Sequence, residues 1–168
     1  MRPRAAGAII RVRMSRLRGA STPVRILVAD DHPLVRDALC TLLELQPGFT
    51  VVGEAADGAE AIQLLQTLRP DVLLLDLSMP RMNGMDVLKE LAKAGTPVKT
   101  VVLTGAIEAE TTQEVLRLGA RGVVLKESST ALLCKCVRAV MAGEVWVEPE
   151  PHAGLEHSVV PTRRARPK

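Results

Sequence analysis

At 168 residues, 47% of them apolar but with one Trp, one Phe and no Tyr, the chain has room for one domain with an aliphatic core and no aromatic platform for stacked bases. Charge is segregated: residues 1–23 hold six Arg and no acid, residues 24–150 hold 12 basic and 18 acidic residues (−6), and residues 151–168 carry +3, so the net +3 belongs to the two ends. No run approaches the roughly 18 apolar residues that would span a bilayer, and the arginine-rich opening has too short an apolar run for a signal peptide.

In chain order, residues 1–23 read as a basic, disordered extension, and Met14 offers an alternative start. From Val24 the sequence alternates short β-branched runs with helical stripes five times. The runs are Val24–Ala29, Thr50–Glu54, Val72–Leu75, Val98–Leu103 and Gly122–Leu125. Each is almost continuously apolar, as strands buried on both faces are.

The first helix opens with Pro33 in its first turn, and Leu34, Val35, Ala38, Leu39, Leu42 and Leu43 form its expected inner face. Gly48 breaks the chain before the second strand. Asp57 is placed to cap the second helix, with Ala61, Ile62, Leu64, Leu65 and Leu68 inward and Pro70 just past its end. Asn83 opens the third. A fourth runs from about Ile107 to Leu118 and stops at Gly119. Ser128 or Ser129 caps the fifth, which carries Leu132, Leu133, Cys136, Val137, Val140 and Met141 and ends at Gly143.

Cys40, Cys134 and Cys136 make no CxxC pair. They read as reduced thiols packed as small apolar groups in a cytosolic protein, with Cys134 and Cys136 on nearly opposite sides of their helix. The folded domain is expected over 24–143. Residues 144–168, punctuated by Pro149, Pro151, Pro161 and Pro167, are expected to be a linker-like, disordered tail.

Five β–α units define a doubly wound α/β fold with a five-stranded parallel sheet. In the order 2-1-3-4-5 the crevice for ligands lies outside the carboxyl ends of strands 1 and 3. Those strands end in Asp30 and Asp31, and in Asp76. Strand 4 ends in Thr104 and strand 5 in Lys126. Each alone has a structural explanation as a cap or a surface group; together they gather at one edge of the sheet.

Carboxylates so crowded repel one another unless a cation joins them. A hard cation such as Mg²⁺ takes one or two carboxylates, waters and phosphate oxygens. Asp31 and Asp76 can supply those carboxylates, Asp30 can hold a metal-bound water, and the backbone carbonyl of Ser78 can complete the protein's share. Asp76 is then the candidate nucleophile toward phosphorus. Lys126 and the Thr104 hydroxyl are the candidate partners for the transferred oxygens. Pro80 and Gly84 shape the loop after Asp76. His32, beside the acid pair, is expected to be a structural helix-start residue.

The segments VRILVADDHPLVRDAL, DVLLLDLSMPRMNGMDVL, VVLTGA and GVVLKES resemble the receiver domain of two-component response regulators, over about residues 24–143. The resemblance implies a flavodoxin-like fold and phosphorylation of Asp76 by a sensor histidine kinase. It further implies Mg²⁺ at Asp31 and its neighbour, and Thr104 and Lys126 reading the phosphoryl group. The DDHP start and AVMAGEVWVEP resemble the NarL/FixJ-type subfamily, in which a LuxR-type helix-turn-helix normally follows; no such pattern follows Gly143 here. The family usually has Tyr or Phe three residues before its lysine, and this chain has Val123.

The expected function is a cytoplasmic, phosphorylation-dependent switch with at most slow self-dephosphorylation, rather than a metabolic enzyme. Its expected output is a protein partner or a second copy met through the helix 4, strand 5, helix 5 face. The competing readings are a truncated transcriptional regulator and nucleic-acid binding through Arg2, Arg4, Arg11, Arg13, Arg16, Arg18 and the 163–168 end. DNA binding is disfavoured by the acidic body and the lack of aromatics. A metal-dependent phosphatase would need a general acid two residues after its nucleophile, where this chain has Ser78.

Overall fold

A computed structural model describes residues 22–148 and the strand at 159–160. The elements run β1 (Val24–Ala29), α1 (Pro33–Glu44), β2 (Phe49–Ala55), α2 (Gly58–Leu68), β3 (Val72–Asp76), α3 (Gly84–Ala94), β4 (Lys99–Thr104), α4 (Ala109–Arg117), β5 (Gly122–Leu125), α5 (Thr130–Met141), β6 (Val145–Val147) and β7 (Val159–Val160). The sheet order is β2-β1-β3-β4-β5-β6-β7. The order 2-1-3-4-5 of the first five strands is as expected. The count of five is corrected: β6 adds in parallel to β5, and the two-residue β7 pairs antiparallel with β6.

Alternation along the strands builds two cores, one on each face. On β1, Ile26 and Val28 point toward α1 and α5, where they join Leu43, Leu74, Val101, Val137 and Val140. Leu27 and Ala29 point the other way and meet Ala61 of α2, Val87 of α3 and Val115 of α4. Successive strand side chains face opposite sides, so a strand covered on both faces must be apolar throughout. β3 meets that demand: all five of its residues, Asp76 included, are buried.

Capping follows the side-chain chemistry. Asp57 accepts from Glu60 N, Asn83 from Asp86 N, and Ser129 (rather than Ser128) from Leu132 N. The inner face expected for α1 is in part wrong. Cys40 and Leu43 are buried and Leu39 packs on the core, whereas Leu34 is 84% exposed and Leu42 and Leu45 also face outward. The packed stripe is 36, 39, 40, 43, one helical arc, and the six residues first assigned to it span more of the cylinder than one sheet can cover.

α4 starts two residues later than expected, at Ala109. Cys134 and Cys136 are both buried and, like Cys40, free. α5 packs on the sheet on one side and on α1 on the other, which accounts for two buried positions 200° apart. Burial pushes the thiols of Cys40 and Cys136 up to about 12, so neither offers a thiolate at neutral pH.

The packed body continues past Gly143, where linker was expected to begin. Trp146 N donates to Arg121 O and Glu148 N to Val123 O, both at 2.9 Å, and Trp146 is buried in the α1/α5 core. The basic extension, the rest of the tail and the arginines proposed to meet nucleic acid lie outside the described residues. Among the described residues no helix is long and apolar enough to cross a membrane.

Candidate functional site

The parallel register of β1, β3, β4 and β5 brings their carboxyl ends to one edge. Ala29 pairs with Leu75, Asp76 with Leu103, and Thr104 with Leu125. One residue further along β1 and β5 come Asp30 and Lys126, so three charged groups meet where β1, β3 and β5 end. Lys126 Nζ donates to Asp76 Oδ2 at 2.7 Å and lies 3.1 Å from Asp30 Oδ2. Asp30 and Asp76 are fully or almost fully buried.

Burial disfavours a charged carboxylate. It pushes Asp76 above the usual aspartate range, against the pull of Lys126 and of the Ser78 N–H, while the Asp30 charge adds to the rise. For Lys126, burial works to lower it, but its contacts with Asp76 and Asp30 outweigh burial and raise it. The cluster is thus short of positive charge: one ammonium faces three carboxylates.

Ligand atoms of Asp30, Asp31, His32 and Asp76 all lie within 4.8 Å of one another. Asp30 Oδ2 and Asp31 Oδ1 are buried without a hydrogen-bond partner among the described residues. Lys126 Nζ stands 3.1 Å from the first and His32 Nδ1 3.0 Å from the second. Two buried carboxylate oxygens beside a third carboxylate make an oxygen-rich donor set of the kind a hard divalent cation takes.

His32 sits at the start of α1 in extended backbone and caps nothing with its side chain. Its N–H donates to Asp30 Oδ1 at 2.9 Å, which holds that carboxylate in place. Ser78 meets the site through its N–H, donated to Asp76 Oδ1 at 2.9 Å. Gly84 lies against the backbone of Asp76: a Cβ there would sit 2.4 Å from the Asp76 carbonyl oxygen and 2.8 Å from Leu77 Cα. Only hydrogen fits, so this glycine lets α3 start directly beneath the nucleophile candidate.

Thr104 is at the same edge but is turned into its own loop. Its Oγ1 donates to Ala106 O at 2.8 Å and is half-exposed. Val123, three residues before Lys126, is buried on the α4 side of β5 and pairs with Val102 and Val147.

Three supporting residues were missed by the sequence reasoning. Arg36 Nη1 donates to Asp30 O at 2.7 Å and Nε to Glu54 Oε2 at 3.2 Å, fixing the end of β1. Arg81, in the left-handed region at φ 64, forms an ion pair with Asp57 and ties the loop after β3 to the start of α2. Glu148 accepts from Leu125 N at 2.8 Å and from Ser128 Oγ. For Glu148 the signal was present: Val145, Trp146 and Val147 form a β-branched and aromatic run before it.

Residues 26–138 match the model of the response regulator receiver domain. The transcriptional regulatory protein LiaR of Bacillus subtilis is 38% identical over 125 residues, which is 74% of this chain and 59% of LiaR. The nitrate/nitrite response regulator protein NarP of Escherichia coli is 41% identical over 123 residues, 73% of this chain and 57% of NarP. Among solved structures, the signal receiver domain of the putative response regulator NarL from Mycobacterium tuberculosis superposes with a TM-score of 0.66 at 36% identity, covering 73% of this chain and 97% of that one. The isolated receiver domain of RcsB from Salmonella enterica, solved with the phosphomimetic BeF₃⁻, gives 0.69 at 30% identity, covering 76% and 94%.

Receiver domains of response regulators are signalling domains rather than classical enzymes. The chain belongs to the response regulator receiver domain family of two-component systems, whose members sensor histidine kinases phosphorylate. It spans less than two thirds of the length of the curated relatives it matches.

Proposed function

We propose that this chain is a phosphorylation-dependent switch in which Asp76 accepts a phosphoryl group from a sensor histidine kinase. The observation that carries the reading is the buried Asp76 carboxylate gripped by Lys126 Nζ at 2.7 Å, beside the buried carboxylate oxygens of Asp30 and Asp31. Asp31, Asp76 and the backbone carbonyl of Ser78 would hold Mg²⁺, with Asp30 behind them. When bound, the ion offsets the repulsion among the carboxylates and the charge on the transferred oxygens.

Asp76 is kept in line by Ser78 N–H on Oδ1 and by Lys126 on Oδ2. In transfer, a carboxylate oxygen of Asp76 bonds to phosphorus as the phosphorus–nitrogen bond of the kinase phosphohistidine breaks; the bonding pair leaves with the imidazole nitrogen, which takes up a proton from solvent. Lys126 shifts from the carboxylate to a phosphoryl oxygen. Thr104, once released from Ala106 O, supplies a hydroxyl to another. Slow attack by water on the same phosphorus returns the carboxylate and inorganic phosphate.

The output is altered binding of a protein partner or a second copy through the α4–β5–α5 face, whose flanks are the strands ending in Thr104 and Lys126. Several relatives are named as transcriptional regulators, so a role within such a regulator, in the cytoplasm, is the second reading. Acetyl phosphate with Mg²⁺ is expected to label the protein at one site. Labelling that survives Asp76→Asn undiminished, or that ignores a chelator, rejects the assignment. Mg²⁺ alone should also raise thermal stability, by about 2.7 kcal/mol at a hundred times its dissociation constant, and Asp31→Asn should abolish most of that gain.

A further inference from the structure

β6 runs beside β5 for two residue pairs, Gly122 with Trp146 and Val123 with Val147, and then ends. The next N–H of β5 facing that side belongs to Leu125 and has no strand to meet. The side chain of Glu148 takes the strand's place: Oε2 accepts from Leu125 N at 2.8 Å. The same carboxylate accepts from Ser128 Oγ at 2.5 and 2.6 Å. Leu125 directly precedes Lys126, and Ser128 lies two residues after it. One carboxylate therefore grips the turn on both sides of the lysine.

We propose that Glu148 is a positioning residue for phosphoryl recognition, setting where Lys126 stands relative to Asp76 by clamping Leu125 and Ser128. This rests on the role given above to Lys126. The other ties of the turn are Lys126 N to Thr104 O at 2.8 Å and Ser128 N to Leu125 O at 3.0 Å. The first secures the backbone on the β4 side, and the second is internal to the turn. Glu148 alone among the described contacts anchors the turn on the β6 side. A carboxylate accepting from an N–H and an O–H forms charge-assisted bonds, stronger than neutral ones. Positioning a cationic donor within a fraction of an ångström is what such support achieves.

The clamp is also reciprocal. If it favours the placement of Lys126 that suits a phosphoryl oxygen, then occupying Asp76 with a phosphoryl mimic must favour the clamp. Glu148 directly follows β6, so this residue ties the end of that strand to the chemistry at Asp76. No motion of an aromatic ring at position 123 is needed for that link.

The test uses the full chain and two probes: Mg²⁺ alone, and beryllium fluoride in saturating Mg²⁺. Glu148→Ala is expected to weaken beryllium fluoride binding about tenfold while leaving Mg²⁺ affinity within about twofold. Ser128→Ala, which removes half of the clamp and keeps the fold if Glu148→Ala does not, should lose about threefold. Glu148→Gln keeps a carbonyl acceptor for Leu125 N and should recover most of the loss. In a Lys126→Ala background, Glu148→Ala should add nothing. In the wild type, beryllium fluoride should slow hydrogen exchange at the Leu125 amide.

Beryllium fluoride affinity unchanged in both Glu148→Ala and Ser128→Ala overturns the proposal. So does a loss of equal size for Mg²⁺ alone or in the Lys126→Ala background, either of which marks a merely structural glutamate. If instead Lys126→Ala itself leaves beryllium fluoride binding intact, the role given to Lys126 fails first, and the proposal with it.

Discussion

Two loops at the same edge of the sheet are built in opposite ways. The loop after β3 is packed against the nucleophile candidate: Gly84 N donates to Leu77 O at 3.1 Å, Ser78 N holds Asp76 Oδ1, and a Cβ on Gly84 would strike Asp76 O. The loop after β4 is open. Thr104 Oγ1 is spent on Ala106 O, and a Cβ on the neighbouring Gly105 would meet nothing within 4 Å. The difference separates two tasks. On the proposed function, the groups that would accept a phosphoryl group are already in place, and the group that would report its arrival is turned into its own loop.

The sharpest way to break this contrast is to delete one group already set against Asp76 and the one turned away into the β4 loop. Lys126→Ala should slow labelling by acetyl phosphate about a hundredfold, as losing one preset donor to a developing charge does. Thr104→Ala should slow it only about threefold, because its hydroxyl does not face Asp76 beforehand. Equal losses in a time course followed by intact mass would show that the preset group and the turned-away group are not distinct.

Packing gives the next test. Gly84→Ala should destabilise the fold by about 3 kcal/mol, since the obstructing atoms are backbone and cannot turn aside. Gly105→Ala should fall within about 0.5 kcal/mol of the wild type. Urea unfolding of both variants decides, and a Gly84→Ala protein as stable as Gly105→Ala would contradict the tight seat described for Asp76.

The smallest effect concerns protons. Burial raises Asp76 above the ordinary 3.8, so in the absence of divalent ions the folded chain holds a proton at Asp76 at pH values where the unfolded chain has released it. The folded state binds more protons in that window. Asp76 therefore adds stability as pH falls from above its folded value toward 3.8, with a slope no steeper than about 1.4 kcal/mol per pH unit. Subtracting the profile of Asp76→Asn from that of the wild type, both in chelator, should reveal this negative slope. A difference that rises with pH would contradict the burial argument.

Much of this edge was legible in the sequence because strand runs, glycine stops and caps fixed where each strand would end. Once β1, β3, β4 and β5 were placed in register, Asp30, Asp76, Thr104 and Lys126 had to share one edge. Which way a side chain turns there was not legible. Thr104 chooses a carbonyl two residues on, a matter of loop geometry that periodicity does not encode. The α1 stripe was misread because α1 is apolar over more of its circumference than the sheet can bury, and hydrophobicity alone does not select the arc. Glu148 was missed for a different reason: the prolines downstream suggested linker, and the short run Val145–Val147 was too brief to outweigh them. Arg36 on the Asp30 carbonyl had no sequence signal at all.

The central claim is tested most directly by trapping the phosphorylated side chain chemically. An acyl phosphate is reduced by borohydride to the alcohol, which turns a phosphorylated aspartate into homoserine. After incubation with acetyl phosphate and Mg²⁺, peptide mass spectrometry should find homoserine at position 76 and nowhere else, and none when the divalent ion is chelated. Homoserine at Asp30 or Asp31, or phosphate retained on the protein with position 76 still aspartate, would contradict the account.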